Sequence, residues 1–172
     1  LGAECTPAER QRLADLAIGH DLAVLLDEAY FDIRYSAKSF SLATIPGMQE
    51  RSVILYTFSK KFAMTGWRLG AAIGPKSLID VIAKLNVNDE SCSNHFVQYG
   101  ALEGLTGDQS GPTAILQILR DRRDIAVAML NDMPGVNCPS PEATFYLFPE
   151  VTELMERKGF GDNYAAFAED VL

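Results

Sequence analysis

Ser52-Val53-Ile54-Leu55-Tyr56, running straight into Thr57-Phe58-Ser59-Lys60-Lys61-Phe62-Ala63-Met64-Thr65-Gly66-Trp67-Arg68-Leu69-Gly70, is the stretch on which the reading of this chain turns. The first five residues are strand formers, and Thr57, Ser59 and Lys60 fall where a buried strand stops and opens into a loop. Arg68 comes eight residues after Lys60 and leads into a second short apolar strand, Leu69 to Ile73. An amine beside hydroxyls, with a guanidinium on the neighbouring strand, is the set of groups that an aldehyde carrying a phosphate requires. The amine forms a Schiff base with the aldehyde, and the guanidinium grips two phosphate oxygens in a bidentate fork. Thr57 and Ser59 can donate to the same phosphate. Taken alone, a Ser-Lys-Lys run after a strand is more often a solvated loop. A second stretch upstream decides between the two.

Thr6-Pro7-Ala8-Glu9 is a capping box with proline at the first helical position; Leu13, Leu16 and Ala17 follow at helical spacing, and Gly19 ends the helix. Asp21-Leu22-Ala23-Val24-Leu25-Leu26 reads as a strand buried on both faces, because it is continuously apolar instead of alternating. It ends in Asp27-Glu28-Ala29-Tyr30. Helix, strand, loop, strand, helix is the order of a mostly parallel sheet with helical cover. Ligands in such sheets bind outside the carboxyl ends of the strands, where Asp27 and Lys60 both fall.

An apolar strand ending in an acid also suits the magnesium-holding carboxylate of a P-loop ATPase. That reading needs an upstream GxxxxGK[ST] loop. The chain has none, and Gly74-Pro75-Lys76-Ser77 lacks the first glycine and follows the acid. The other reading is a carboxylate aimed at a protonated pyridine nitrogen, which keeps its proton only beside an anion. Tyr30 could then reach a phenolic oxygen on the same ring, although a half-buried aromatic at a strand end has the same appearance in sequence.

The 172 residues suffice for one ordinary domain or parts of two. Hydrophobic residues at 48% and charged residues at 22% place the chain among globular proteins. A net charge of -8 and a pI near 4.7 argue against a nucleic-acid surface, which needs clustered Lys and Arg. Apolar runs such as Leu22 to Leu26 are too short to span a bilayer, and the first residues carry no secretory signal. Cys5, Cys92 and Cys138 have no metal-ligand spacing and read as reduced thiols of a cytoplasmic protein.

Further on, Pro75 to Val87 reads as a helix with Leu78, Ile79, Ile82 and Leu85 on one face. A polar break at residues 88–94 precedes a helix from Phe96 to Leu105, a turn-rich stretch from Gly107 to Pro112, and a helix from Thr113 to Asn131. Phe145 to Phe148 reads as a strand, and Phe160, Tyr164 and Phe167 as packing residues.

Asp27-Glu28-Ala29-Tyr30, then Thr57-Phe58-Ser59-Lys60, then Met64-Thr65-Gly66-Trp67-Arg68, resembles the fold-type I, pyridoxal-phosphate-dependent aminotransferases of class I and II, the aspartate aminotransferase superfamily. Glu142-Ala143-Thr144-Phe145-Tyr146-Leu147-Phe148-Pro149 looks like that family's first small-domain strand. The resemblance runs over essentially the whole chain. It implies an α/β fold: residues 1–112 as the C-terminal part of the large cofactor-binding domain, mostly parallel sheet with helices, and residues 113–172 as a connecting helix and the start of the α/β small domain. It implies Lys60 as Schiff-base lysine and proton shuttle, Asp27 as partner of the pyridine nitrogen, Tyr30 on the phenolic oxygen, and Thr57, Ser59 and Arg68 on the phosphate. Lys61 has no family role and reads as solvated. Pyridoxal 5'-phosphate, an amino acid and a 2-oxo acid are the implied small-molecule partners, with neither nucleic acid nor membrane, in a homodimer for which Ser93 and Asn94 are interface candidates, although either is more simply read as a cap on the helix that starts near His95.

The same resemblance makes the chain a middle-to-late fragment. The family's Asn-Pro-Thr-Gly turn would precede Leu1, and its phosphate-cupping loop and ring-stacking aromatic are absent. The arginine that holds the substrate carboxylate would follow Leu172, so little or no catalysis is expected of the fragment alone. A lyase or synthase on the same scaffold, the effector domain of a transcription regulator, and a degenerate subunit are the alternatives. The Met64 to Arg68 run leans towards aminotransferases.

Overall fold

The computed structural model describes residues 2–35 and 40–171; the expectations about the two ends, at Leu1 and Leu172, lie outside the described residues. The capping box forms as read. The Thr6 hydroxyl accepts from the Glu9 N–H at 3.2 Å, and the Glu9 carboxylate accepts from the Thr6 N–H at 2.8 Å. Two of the first-turn donors that a helix leaves unpaired are thereby satisfied, and α1 runs over Pro7–Gly19. Its buried face is Ala14 and Ala17, which pack with Met48 under Val24; Leu13 and Leu16 stay about half exposed.

Three strands follow in the order β1 (Val24–Asp27), β2 (Ser52–Thr57) and β3 (Gly70–Ile73). β1 and β2 are parallel, with Val24 opposite Ser52 and Asp27 opposite Leu55. Both strands therefore point their carboxyl ends, and with them Asp27 and the Lys60 loop, to one edge of the sheet. β2 and β3 are antiparallel, with Thr57 opposite Gly70. The connection between them contains only a short 3-10 turn, Thr65–Trp67, and no crossover helix, so the chain can only fold back on itself. That return delivers Arg68 to the same edge, and the Phe58 N–H donates to the Leu69 carbonyl at 3.3 Å. The sheet is thus α/β in class and mixed in direction. β3 lies close against β2: a Cβ at Gly70 would sit 2.9 Å from the Tyr56 carbonyl oxygen, and one at Gly74 2.8 Å from that of Ser52.

The expectation of a first strand buried on both faces is corrected. β1 starts at Val24, its burial alternates, and Leu25 is 71% exposed. α1 covers the Val24 face, and among the described residues nothing covers the other.

α2 (Lys76–Asp89), α3 (His95–Thr106) and α4 (Ser110–Asn131) follow. α4 starts earlier than the sequence suggested, taking in Pro112, which is tolerated because a first-turn residue has no intrahelical N–H bond to lose. Asn94 caps α3, its side-chain oxygen accepting from the Phe96 N–H at 3.2 Å. Val97 and Ala101 of α3 pack with Phe58 and Leu69, and Tyr56, Phe62 and Met64 close the cluster. The loop that carries Lys60 is therefore anchored from beneath at Phe58 and Phe62.

The strand expected over Phe145 to Phe148 does not form. A strand needs a partner along its length, and this segment has only isolated bridges beside it, Arg34 with Ala143 and Asn137 with Glu150. Two short helices, α5 (Thr152–Arg157) and α6 (Tyr164–Val171), complete the described chain. Among the described residues no helix is long and apolar enough to cross a membrane.

Candidate functional site

The carboxyl edge of β1 and β2 carries the candidate site. Asp27 is the last residue of β1, with an exposed side chain whose Oδ1 accepts from the Ala29 N–H at 3.1 Å. This turn sends the chain back past the strand end and brings Tyr30 over it. The Tyr30 hydroxyl lies 2.6 Å from that of Tyr146, and its ring meets those of Phe145 and Tyr146 edge-on at 5.4 and 5.5 Å. Burial, then the bond to Tyr146, then the charge of Asp27 push the Tyr30 phenol up to about 12.

Lys60 comes to this aromatic wall from β2. Its side chain is half-buried, and its Nζ stands 5.6 Å from the centre of the Tyr30 ring and 5.8 Å from that of Phe145. Both ring faces attract a cation, and neither can accept the amine's proton. Lys61, read as solvated, is corrected: it is half-buried, pairs with Asp32 at 3.6 Å and lies over the Phe62 ring. Asp32 also accepts from the Tyr56 hydroxyl at 3.4 Å; burial and this carboxylate push that phenol up to about 12.

The remaining residues surround the loop. Thr57 is half-buried, and its Oγ1 accepts from the Ser59 N–H at 3.1 Å. Ser59 is 8% exposed, and among the described residues its hydroxyl makes no hydrogen bond. Arg68 is exposed, with its guanidinium turned back on the Thr65 carbonyl at 2.9 Å. Ala63 and Arg68 both have left-handed backbone, with φ of 53° and 50°, and such strain gathers at functional loops.

The structure thus brings Lys60 and Tyr30 together, and Thr57 and Ser59 to the same strand end. It does not put Asp27 and Lys60 in one cavity. Asp27 and Tyr30 line an open depression of about 320 Å³ with Arg34 and Phe40, whereas Lys60 lines another of about 250 Å³ with Lys61, Asp32 and Leu116. Tyr30 joins the two, lining the first and holding the Lys60 amine over its ring. The groups at this edge (an amine, a guanidinium and two hydroxyls that can donate, and a carboxylate that can accept) fit a phosphorylated aldehyde with a basic ring nitrogen. Among the described residues no group of His, Cys, Asp and Glu could hold a metal ion.

Sequence reading missed Phe145, Tyr146 and Asp32. The adjacent aromatics at 145 and 146 were visible, but their strand-like pattern gave no sign that they would face Tyr30.

The family model described as "Aminotransferase class I and II" matches residues 1–169. An aspartate aminotransferase from Musicola paradisiaca is 39% identical over 158 residues, covering 91% of this chain and 38% of that protein. Among solved structures, the aspartate aminotransferase of Rhizobium meliloti superposes with a TM-score of 0.85 at 31% identity, over 88% of this chain and 39% of the other. The aromatic aminotransferase of Pyrococcus horikoshii OT3 gives a TM-score of 0.82 at 34% identity, over 90% of this chain and 44% of the other. The chain spans about two fifths of the length of the curated relatives it matches.

Proposed function

The chain belongs to the class I and II aminotransferase family, and from that premise we propose that the whole protein transfers an amino group between an amino acid and a 2-oxo acid using pyridoxal 5'-phosphate. The observation that carries this reading is the Lys60 amine, held half-buried against Tyr30 and Phe145 at the carboxyl edge of a parallel strand pair whose other member ends in Asp27. Pyridoxal phosphate, when bound, supplies an electron sink for the pair left on the substrate's Cα. Lys60 would hold the group through its amine and would carry the proton to and from the substrate's Cα. Asp27 would keep the pyridine nitrogen protonated, and Tyr30 would donate to the phenolic oxygen. Thr57, Ser59 and Arg68 hold the phosphate; Arg68 would have to leave the Thr65 carbonyl to do so.

The domain division at 112–113, the homodimer and the cytoplasmic location belong to the same proposal. Supporting them are the long helix α4 starting at Ser110, the exposed apolar side chains of α2 and α3, and three free cysteines. The share of the relatives' length that the chain spans supports little or no turnover from these 172 residues alone. The test is spectroscopic: added pyridoxal phosphate should give a visible-absorbing adduct that Lys60→Ala abolishes. If Lys60→Ala binds and titrates as the parent does, the assignment fails.

A further inference from the structure

We propose that Tyr146 is a positioning residue for Tyr30, fixing which way the Tyr30 hydroxyl points and thereby whether it can donate to a ligand; this rests on the pyridoxal-phosphate reading above. The two hydroxyls stand 2.6 Å apart although 116 residues separate them in sequence, so the contact is made by the fold and not by local chain geometry. Their rings meet at 69°, and the Phe145 ring packs against both while also facing the Lys60 amine. Tyr146 is itself seated: its N–H donates to the Thr144 hydroxyl at 3.1 Å, after a left-handed turn at Thr144 with φ of 65°.

The consequence follows from counting protons. A tyrosine hydroxyl has one hydrogen and two lone pairs, so at this separation one hydrogen lies between the two oxygens. When Tyr30 supplies it, Tyr30 can only accept from anything else. When Tyr146 supplies it, the Tyr30 hydrogen is free to turn outwards, and accepting one bond makes it a better donor. An anionic phenolic oxygen on a bound ring selects the second arrangement. Tyr146 then strengthens the bond from Tyr30 without touching the ligand. It also ties the segment after α4 to the loop after β1.

Among the described residues, Glu4, Cys5, Arg10 and Arg34 line the same depression as Asp27 and Tyr30. Asp27 lies on the β1 side and raises the Tyr30 phenol, and Lys60 lies over the Tyr30 ring. Neither hydrogen-bonds to the hydroxyl pair.

The experiment is a pH titration of the visible adduct formed with added pyridoxal phosphate, in the parent, Tyr146→Phe, Tyr30→Phe, the double variant and Lys60→Ala. A donor to the phenolic oxygen stabilises the unprotonated adduct, so weakening it moves the titration to higher pH. Tyr30→Phe should give the larger upward shift and Tyr146→Phe a smaller one. The double variant should titrate like Tyr30→Phe alone, because Tyr146 acts only through Tyr30. A merely structural role for Tyr146 would not produce that non-additivity. Tyr146→Phe titrating as the parent, or shifts that add in the double variant, overturns the positioning role while the Lys60 assignment stands. An adduct that survives Lys60→Ala, or none in the parent, overturns the reading beneath it and the proposal with it.

Discussion

Lys60 and Lys61 are neighbours of identical chemistry whose amines meet different groups. One amine rests on the faces of Tyr30 and Phe145, where among the described residues no carboxylate pairs with it; the other is committed to Asp32. That difference makes one lysine a candidate for chemistry and the other a tie between two loops. The phenols of Tyr30 and Tyr56 carry a second consequence. Both are pushed from 10.0 up to about 12, chiefly by burial. The unfolded chain releases these protons near pH 10, while the folded chain keeps them until about pH 12. Between those limits the unfolded state binds fewer protons, so stability that is fully present below pH 10 falls as pH rises towards 12. Urea midpoints measured across that window should decline, and Tyr56→Phe should make the decline shallower. A midpoint level from pH 10 to 12 contradicts the burial of these phenols.

Among the elements, α1 shows how far local rules reach. The Thr6-Pro7-Ala8-Glu9 signature forms the reciprocal cap it encodes. Thr6→Ala should lower stability by about 1 kcal/mol, read as a lower thermal midpoint with the cofactor adduct unaffected. Loss of the adduct, or no change in melting, contradicts a purely local cap. The same kind of rule located Ser52–Thr57 as a strand and put Asp27 and Lys60 at one edge, because continuous apolar runs ending in polar residues carry their own boundaries. Where the outcome depends on what lies across space, the sequence was silent. Leu25 reads as buried from its apolar neighbours but faces no covering element. Phe145 to Phe148 has strand composition but no strand beside it. The Tyr30–Tyr146 and Lys61–Asp32 contacts bridge segments whose approach no local pattern encodes.

At the scale of the whole molecule, a net charge of -8 coexists with much exposed apolar surface: Leu85, Val87, Phe96 and Tyr99 are each more than 60% exposed. Monomeric soluble proteins rarely leave large contiguous apolar patches uncovered, and these side chains of α2 and α3 are what supports the proposal of a homodimer. The function proposed for that assembly still depends on a single lysine. Its most direct test is borohydride reduction of the protein incubated with pyridoxal phosphate, followed by proteolysis and mass spectrometry of the labelled peptides. The expected result is one phosphopyridoxyl group, fragmenting to Lys60 and leaving Lys61 unmodified. A label on Lys61, one spread over surface lysines such as Lys76 and Lys84, or no label at all would contradict it.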